Sequence, residues 1–336
     1  GWGKCCIVGA GVLKIDFEKK CFRVGTHTFY EGDFITLNGT KGVVYEGKLN
    51  MKDASENPRF KKFMDIADKY RTMKVRTNAD TPEDSQKALE FGAEGIGLFR
   101  TEHMFYGANS EKALFLLRKM ILSRTIEERQ LALDELFPYV KLEISHTLEV
   151  MDNLPVTIRL LDPPLHEFIP QSKENQQEIA NALHIDLDEV IRRGELLKES
   201  NPMIGHRGVR LGITFPEITR MQIKAIFEAC AELIQSGKNP LPEIMVPVTC
   251  NENELEFVKK ITDEVLEQVI QAYKVETVPH MFGTMIEIPR AALVADKMAK
   301  TAEFFSFGTN DLTQMSFGFS RDDIGSFMND YIDNAI

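Results

Sequence analysis

Short apolar runs alternate with longer amphipathic stretches along most of the chain, and polar residues stand where several of the runs end. The run at 304–307 is Phe-Phe-Ser-Phe, and Gly-Thr-Asn-Asp follows it directly at 308–311. The run at 281–286 ends in the same way, in Glu287. Runs of this length and composition are typical of buried parallel strands, whose carboxyl ends deliver polar groups to a site.

The alternation of strand and helix predicts an α/β fold from about residue 73 onward. About seven strand candidates occur there, the shortest near 203–205, and helical stretches such as 217–235 and 252–273 separate them. Repeated strand–helix units give a parallel sheet, and enough of them close into a (β/α)₈ barrel of the TIM type. We therefore expect such a barrel over 73–336, incomplete at its C-terminal end because the sequence stops before a clear last strand.

The first part of the chain has a different pattern. Short β-like runs at 21–24, 34–37 and 42–45 alternate with turns that contain glycine. These strands are too few for an independent domain, so we expect residues 1–50 to be the last part of a β-rich domain. Residues 51–72 are predicted to link the two regions through an amphipathic helix.

Composition and charge narrow the class of protein. The chain has 336 residues, is 43% hydrophobic and 27% charged, and its net charge is −11. These values favour a folded protein of about two domains and argue against nucleic-acid binding by the whole surface. We expect no membrane partner, since no apolar run is long enough to span a bilayer. The five cysteines form no C-x-x-C pattern, which favours a reducing, cytoplasmic compartment.

Charged residues recur at the predicted strand ends. Arg100, Arg159 and Arg207 lie at or near three of them, and Glu287 and Asp311 follow two others. In a barrel these ends converge on one face, where two carboxylates could hold a hard cation such as Mg²⁺ and the arginines could bind a phosphorylated acid. Each residue taken alone also fits a structural salt bridge or a helix cap. The repetition at several strand ends favours a site.

Four stretches resemble the pyruvate, phosphate dikinases, a family of phosphoenolpyruvate (PEP)-utilising enzymes. They lie at 95–105, 159–168, 285–291 and 307–314. The Asp-Pro-Pro-Leu-His-Glu-Phe run in the second stretch favours this family over its relatives PEP synthase and enzyme I of the sugar phosphotransferase system. Residues 1–6 resemble the sequence that follows the phosphohistidine motif in the family's swivelling domain. The β-rich first region would then be a remnant of that domain.

The resemblance implies a phosphotransferase that converts ATP, phosphate and pyruvate reversibly to AMP, diphosphate and PEP. By this resemblance, Arg100 and Arg159 would bind the phosphoryl group and the substrate oxygens. Arg207 would lie nearby as a third catalytic residue. Glu287 and Asp311 would hold Mg²⁺ and also contact the substrate. Further substrate contacts would come from Gly308, Thr309 and Asn310.

The sequence also departs from the family. The carrier histidine, the ATP-binding domain and the acid–base cysteine have no counterpart in it, so we expect a fragment that is inactive alone. Its partners would be the missing domains, and the full-length protein is expected to be a homodimer. Three alternatives stay open: a non-catalytic module that binds PEP and Mg²⁺, a phosphotransferase like PEP synthase or enzyme I, and a Mg²⁺-dependent lyase or aldolase on a similar barrel.

Overall fold

The chain divides into two compact units, of which the first ends at Met73 and the second begins at Lys74. The structure is a computed structural model, and it describes residues 5–50, 58–107 and 110–336. No helix in these three ranges is long and apolar enough to cross a membrane.

The first unit is rich in antiparallel strands, as the sequence predicts. Its three-stranded sheet has the order β1-β2-β3, and a separate hairpin pairs β4 with β5. Phe22 and Phe29 lie opposite each other on β2 and β3, and their rings stack with 5.0 Å between centroids. The elements are β1 (Lys14–Asp16), β2 (Cys21–Val24), β3 (His27–Tyr30), β4 (Ile35–Asn38), β5 (Val43–Glu46) and the helix α1 (Pro58–Tyr70).

The second unit contains a curled sheet of six parallel strands whose spatial order follows the chain. Parallel neighbours joined in chain order through helices are the arrangement of a (β/α)₈ barrel. The predicted fold class, an incomplete barrel of the TIM type, is therefore confirmed. The strands are β6 (Thr77–Asn78), β7 (Ile96–Arg100), β8 (Pro155–Arg159), β9 (Leu241–Val246), β10 (Met281–Ile286) and β11 (Phe304–Phe307).

One predicted strand is wrong. The segment near 203–205 forms a 3₁₀ turn at Pro202–Ile204 instead. Pro202 has a fixed φ and no backbone N–H to give to a ladder, which is why this short apolar segment turns rather than extends. The sheet in the described part of the second unit thus has six strands and not seven.

Helices cover the sheet, and the longest begin where the sequence gives a start signal. Pro216 occupies the first position of the helix Pro216–Gln235, and Asn251 with Glu254 forms a capping box at the start of the helix Glu252–Tyr273. Both helices, together with the helix Ile126–Val150, bury apolar side chains in one core with the sheet. The helices are α2 (Pro82–Glu90), α3 (Glu111–Leu122), α4 (Ile126–Val150), α5 (Lys173–Leu183), α6 (Leu187–Leu197), α7 (Gly208–Thr214), α8 (Pro216–Gln235), α9 (Glu252–Tyr273), α10 (Pro289–Leu293), α11 (Ala295–Met298), α12 (Thr309–Phe317) and α13 (Met328–Asp333).

The carboxyl ends of the strands meet at one edge of the sheet, here named the carboxyl edge. Arg100 at the end of β7 lies opposite Arg159 at the end of β8, and Ile286 lies opposite Phe307 at the ends of β10 and β11. Since the strands are parallel, the residues that follow each end project from the same side. The fold therefore places the predicted site residues on a common edge.

Candidate active site

Two of the predicted arginines meet on one carboxylate, that of Asp162. Arg207 forms a two-point contact with it, Nε at 3.0 Å from Oδ1 and Nη2 at 2.6 Å from Oδ2. Arg159 places Nη1 at 2.9 Å from the same Oδ2, and its Nη2 donates a hydrogen bond to Glu102. A paired contact of this kind fixes the plane of a guanidinium group. The two arginines are therefore held in set orientations before any ligand arrives.

Arg207 also connects this pair to the end of the sheet. Its Nη1 donates to the carbonyl oxygen of Met203 at 3.0 Å, and its Nη2 lies 3.5 Å from Oδ2 of Asp311. Burial disfavours the charge on Arg207, but Asp162 and then Asp311 outweigh it and raise the pKa of Arg207 above its ordinary value. Arg207 thus stays charged in the protein interior.

Glu287 follows β10 and is the most deeply buried acidic group of the site, with 2% of its surface exposed. Its Oε1 accepts a hydrogen bond from the backbone N–H of Val248 at 2.7 Å. Burial and the negative charge of Asp162 raise the pKa of Glu287 from 4.5 to about 7. Asp311 raises the pKa further, whereas the Val248 N–H and Arg159 lower it. Glu287 therefore belongs to the same electrostatic cluster as the two arginines.

Val248 presents that N–H from a strained backbone conformation. Its φ is +62°, which is rare for a β-branched residue and costs on the order of 1–3 kcal/mol. The side chain packs against Gly208, where an added Cβ would lie 2.7 Å from Cγ2 of Val248. The N–H of Gly208 in turn donates to the carbonyl oxygen of Asp162 at 3.0 Å. Val248 thus joins the loop after β9 to the turn that carries Arg207.

Gly308 is required by its neighbour across the carboxyl edge. A Cβ at this position would lie 2.5 Å from Oε2 and 2.6 Å from Cβ of Glu287. The N–H of Gly308 donates to the carbonyl oxygen of Ile286 at 3.1 Å, which keeps β11 close to β10. Thr309 and Asn310 follow at the start of α12, and both are exposed at the same edge.

Arg100 stands beside this cluster with partners of its own. The carboxylate of Asp80 accepts from its Nε at 3.3 Å and lies 3.2 Å from its Nη2. The side chain of Arg100 is 33% exposed, against 11% for Arg159 and 12% for Arg207. Arg100 is thus the predicted site arginine that a ligand reaches most easily.

The charges of the cluster fit a divalent cation. Two internal arginines face the four carboxyl groups of Glu102, Asp162, Glu287 and Asp311, which leaves two excess negative charges when all are ionised. Burial is the main cause of the raised pKa of Glu287, and repulsion from the carboxylates of Asp162 and Asp311 adds to it. No group of three or more His, Cys, Asp or Glu side chains in the described ranges is arranged to hold a metal. Two carboxylates are nevertheless sufficient for Mg²⁺, which usually completes its shell with water and substrate oxygens.

The structure adds site residues that the sequence did not identify. Asp162, Glu102 and Asp80 hold the predicted arginines in place. A signal for two of them is present in the sequence, since Asp162 follows the strand-ending Arg159 by three positions and Glu102 follows Arg100 by two. Val248 has no such signal, because nothing in the sequence indicates its backbone conformation.

Comparisons with known proteins cover the whole chain. The family model described as PEP-utilising enzyme, PEP-binding domain matches residues 54–333. Pyruvate, phosphate dikinase of Clostridium symbiosum is 51% identical over 332 residues, which is 98% of the chain and 38% of that protein. Pyruvate, phosphate dikinase 1, chloroplastic, of Arabidopsis thaliana is 49% identical over 100% of the chain and 35% of its own length. Pyruvate, phosphate dikinase of Giardia intestinalis is 46% identical, over 100% of the chain and 38% of that protein. The chain thus spans only 35–38% of these relatives.

Proposed function

The chain belongs to the family of PEP-utilising enzymes, and on this premise we propose that it carries the Mg²⁺-dependent pyruvate/PEP site of a phosphotransferase of the pyruvate, phosphate dikinase type. The observation that carries the proposal is the convergence of Arg159, Arg207, Glu287 and Asp311 around Asp162 at the carboxyl edge. Such a cluster combines fixed positive charge with excess carboxylate in one small volume.

The arginines suit a phosphorylated acid. Phosphoryl transfer depends mainly on alignment and on stabilising the charge that is spread over the transferring group. Arg159 and Arg207 are largely buried, charged and oriented by carboxylates, so their guanidinium groups are positioned before a ligand binds. Arg100 is the more accessible guanidinium group and would receive the phosphoryl oxygens.

Glu287 and Asp311 would hold the Mg²⁺. When bound there, the ion would supply Lewis-acid charge beside the three-carbon acid. The protein's own contribution is to keep both carboxylates at the carboxyl edge, Glu287 through the Val248 N–H and the space left by Gly308, and Asp311 through Arg207. Thr309 and Asn310 would offer further polar contacts to the substrate from the start of α12.

The complete reaction needs more than this chain. Conversion of ATP, phosphate and pyruvate to AMP, diphosphate and PEP would require a carrier histidine and an ATP-binding domain from the rest of a protein of this type. The acid–base cysteine is a further requirement, and none of the five cysteines matches it in sequence. We therefore propose that this chain alone binds pyruvate and PEP but does not complete the cycle. The homodimer and the cytoplasmic location stay predictions.

Titration calorimetry with PEP, in Mg²⁺ and in EDTA, tests the proposal. We expect binding that depends on Mg²⁺ and that is lost in Glu287→Gln and in Asp311→Asn. Asp322→Asn is the matched control, since the side chain of Asp322 is 90% exposed. Binding that is indifferent to Mg²⁺ and to both site substitutions would refute the metal assignment.

Two further assays separate the alternatives. Phosphoryl transfer from PEP to the histidine of a supplied carrier domain would show an active transferase site and would refute the need for the acid–base cysteine, whereas PEP binding without transfer would be the result expected both here and for a binding module. Cleavage of an oxo-acid carbon–carbon bond, with no effect of phosphate, would favour the lyase or aldolase.

A further inference from the structure

The carboxylate of Asp80 contacts Arg100, the last residue of β7, and His103, which lies three positions further along the chain. Asp80 lies two positions after the end of β6 and is 14% exposed at its side chain. Its Oδ1 accepts from the backbone N–H of Arg100 at 3.1 Å and from Nε of the same residue at 3.3 Å. Its Oδ2 lies 3.2 Å from Nη2 of Arg100 and 3.1 Å from Nδ1 of His103. One carboxylate therefore contacts both the backbone N–H and the guanidinium group of Arg100.

We propose that Asp80 is a positioning residue that aims the guanidinium group of Arg100 at the phosphoryl group of PEP, an inference that rests on the function proposed above. The contacts through Nε and Nη2 occupy one edge of the guanidinium plane and fix its orientation. In the part of the chain that the structure describes, no residue accepts a hydrogen bond from Nη1 of Arg100, so this side can meet a ligand. Arg100 is also the least buried of the three site arginines. Nδ1 of His103 lies beside the second carboxylate oxygen of Asp80, on the side away from the Nε contact of Arg100.

A positioning role and a simple charge effect predict opposite changes in PEP affinity when Asp80 is neutralised. Asp80 is an anion close to the place where the doubly negative phosphoryl group would bind. If only its charge mattered, neutralising Asp80 would tighten PEP binding, because like charges repel. If it aims Arg100, the same substitution frees the arginine side chain and weakens binding. The direction of the change therefore decides between the two roles.

The variants are Asp80→Asn, which removes the charge, and Asp80→Glu, which keeps the charge but displaces it. We expect each to weaken PEP binding about tenfold in calorimetry, on the order of the loss of one charge-assisted hydrogen bond. Pyruvate has no phosphoryl group, so its affinity should stay within about twofold, a contrast that a general loss of structure would not give. Asp84→Asn is the matched control, since Asp84 is exposed on the next helix. Equal or tighter PEP binding by Asp80→Asn, or equal losses for PEP and pyruvate, would overturn the proposal.

A second measurement tests the Asp80–Arg100 contact without any ligand. In ¹⁵N-labelled protein the Nε–H signal of Arg100 should be protected from solvent exchange, and Asp80→Asn should remove that protection. A wild-type signal that exchanges freely would refute the contact whatever PEP does. Should the wild type not bind PEP, the proposed function fails, and the Nε–H signal still decides whether Asp80 fixes Arg100. Thermal melting of each variant identifies any that do not fold, and Asp80→Glu then replaces Asp80→Asn.

Discussion

Glu287→Gln offers the sharpest test of the site because it removes one charge and little else. The amide of glutamine has nearly the shape of the carboxyl group, and its oxygen can still accept the hydrogen bond that the Val248 N–H donates at 2.7 Å. The space that Gly308 leaves is unchanged. Any large effect therefore reports the charge of Glu287 rather than its packing.

The magnitude follows from the raised pKa. The unfolded chain loses the Glu287 proton near 4.5, whereas the folded protein keeps it up to about 7. Between these values the folded state binds more protons, so the free energy of unfolding falls as the pH rises. The loss is complete above the folded pKa and amounts to roughly 3 kcal/mol, at about 1.4 kcal/mol for each tenfold change. Without metal, Glu287→Gln should escape this loss.

Urea denaturation in EDTA, followed by far-ultraviolet circular dichroism, measures the effect. The quantity to compare is the stability of Glu287→Gln relative to wild type at about pH 8 and again at about pH 5, where wild-type Glu287 is itself largely protonated. The variant should gain up to roughly 3 kcal/mol between the two conditions, and any fixed cost of repacking cancels. Glu267→Gln, at an exposed position on α9, should gain nothing.

At about pH 8, Mg²⁺ should cancel most of the stability advantage that Glu287→Gln has in EDTA. At a concentration about a hundredfold above its dissociation constant the ion should stabilise the wild type by about 2.7 kcal/mol, and Glu287→Gln should lose most of this gain. The reasoning is refuted if the relative stability of the variant is the same at both pH values, or if Mg²⁺ stabilises both proteins equally. The first result would mean that Glu287 is already ionised near its ordinary pKa, and the second that it does not hold the metal.

Two other substitutions test the geometry around Glu287. Gly308→Ala places a Cβ 2.5 Å from an oxygen of Glu287. Mg²⁺-dependent PEP binding, measured by calorimetry, should therefore weaken at least about tenfold. Gly325→Ala is the control and should bind PEP normally, since no atom lies within 4 Å of the added Cβ. Arg207→Met removes the two-point contact from Asp162, which then keeps only its contact with Arg159. Urea denaturation at neutral pH should show a loss of stability of about 1.5–3 kcal/mol. A loss below about 1 kcal/mol would show that the contact is solvated.

The sequence by itself determined the class of fold and predicted most of the residues of the candidate site. Strand and helix follow local patterns, such as the Phe-rich run that becomes β11 and the capping box that begins α9. A polar residue at the end of a buried strand is also a local signal, and it is the basis on which Glu287 and Asp311 are proposed as site residues. Because the strands are parallel, all their carboxyl ends lie at one edge, and the residues that follow them come close together there. The strand predicted near 203–205 is wrong because Pro202 favours a turn over an extended strand in this short apolar run.

Only the tertiary structure decided how these residues act. Arg207 and Asp162 lie 45 positions apart in the chain, and no local pattern indicates that they meet. The pKa of Glu287 depends on burial and on charges from other loops, which exist only after folding. The same holds for the separate attachment of Arg100 to Asp80 and for the strained Val248. Charge type is a property of the residue, but its pKa, orientation and partner are set by the groups that folding places within a few ångströms of it.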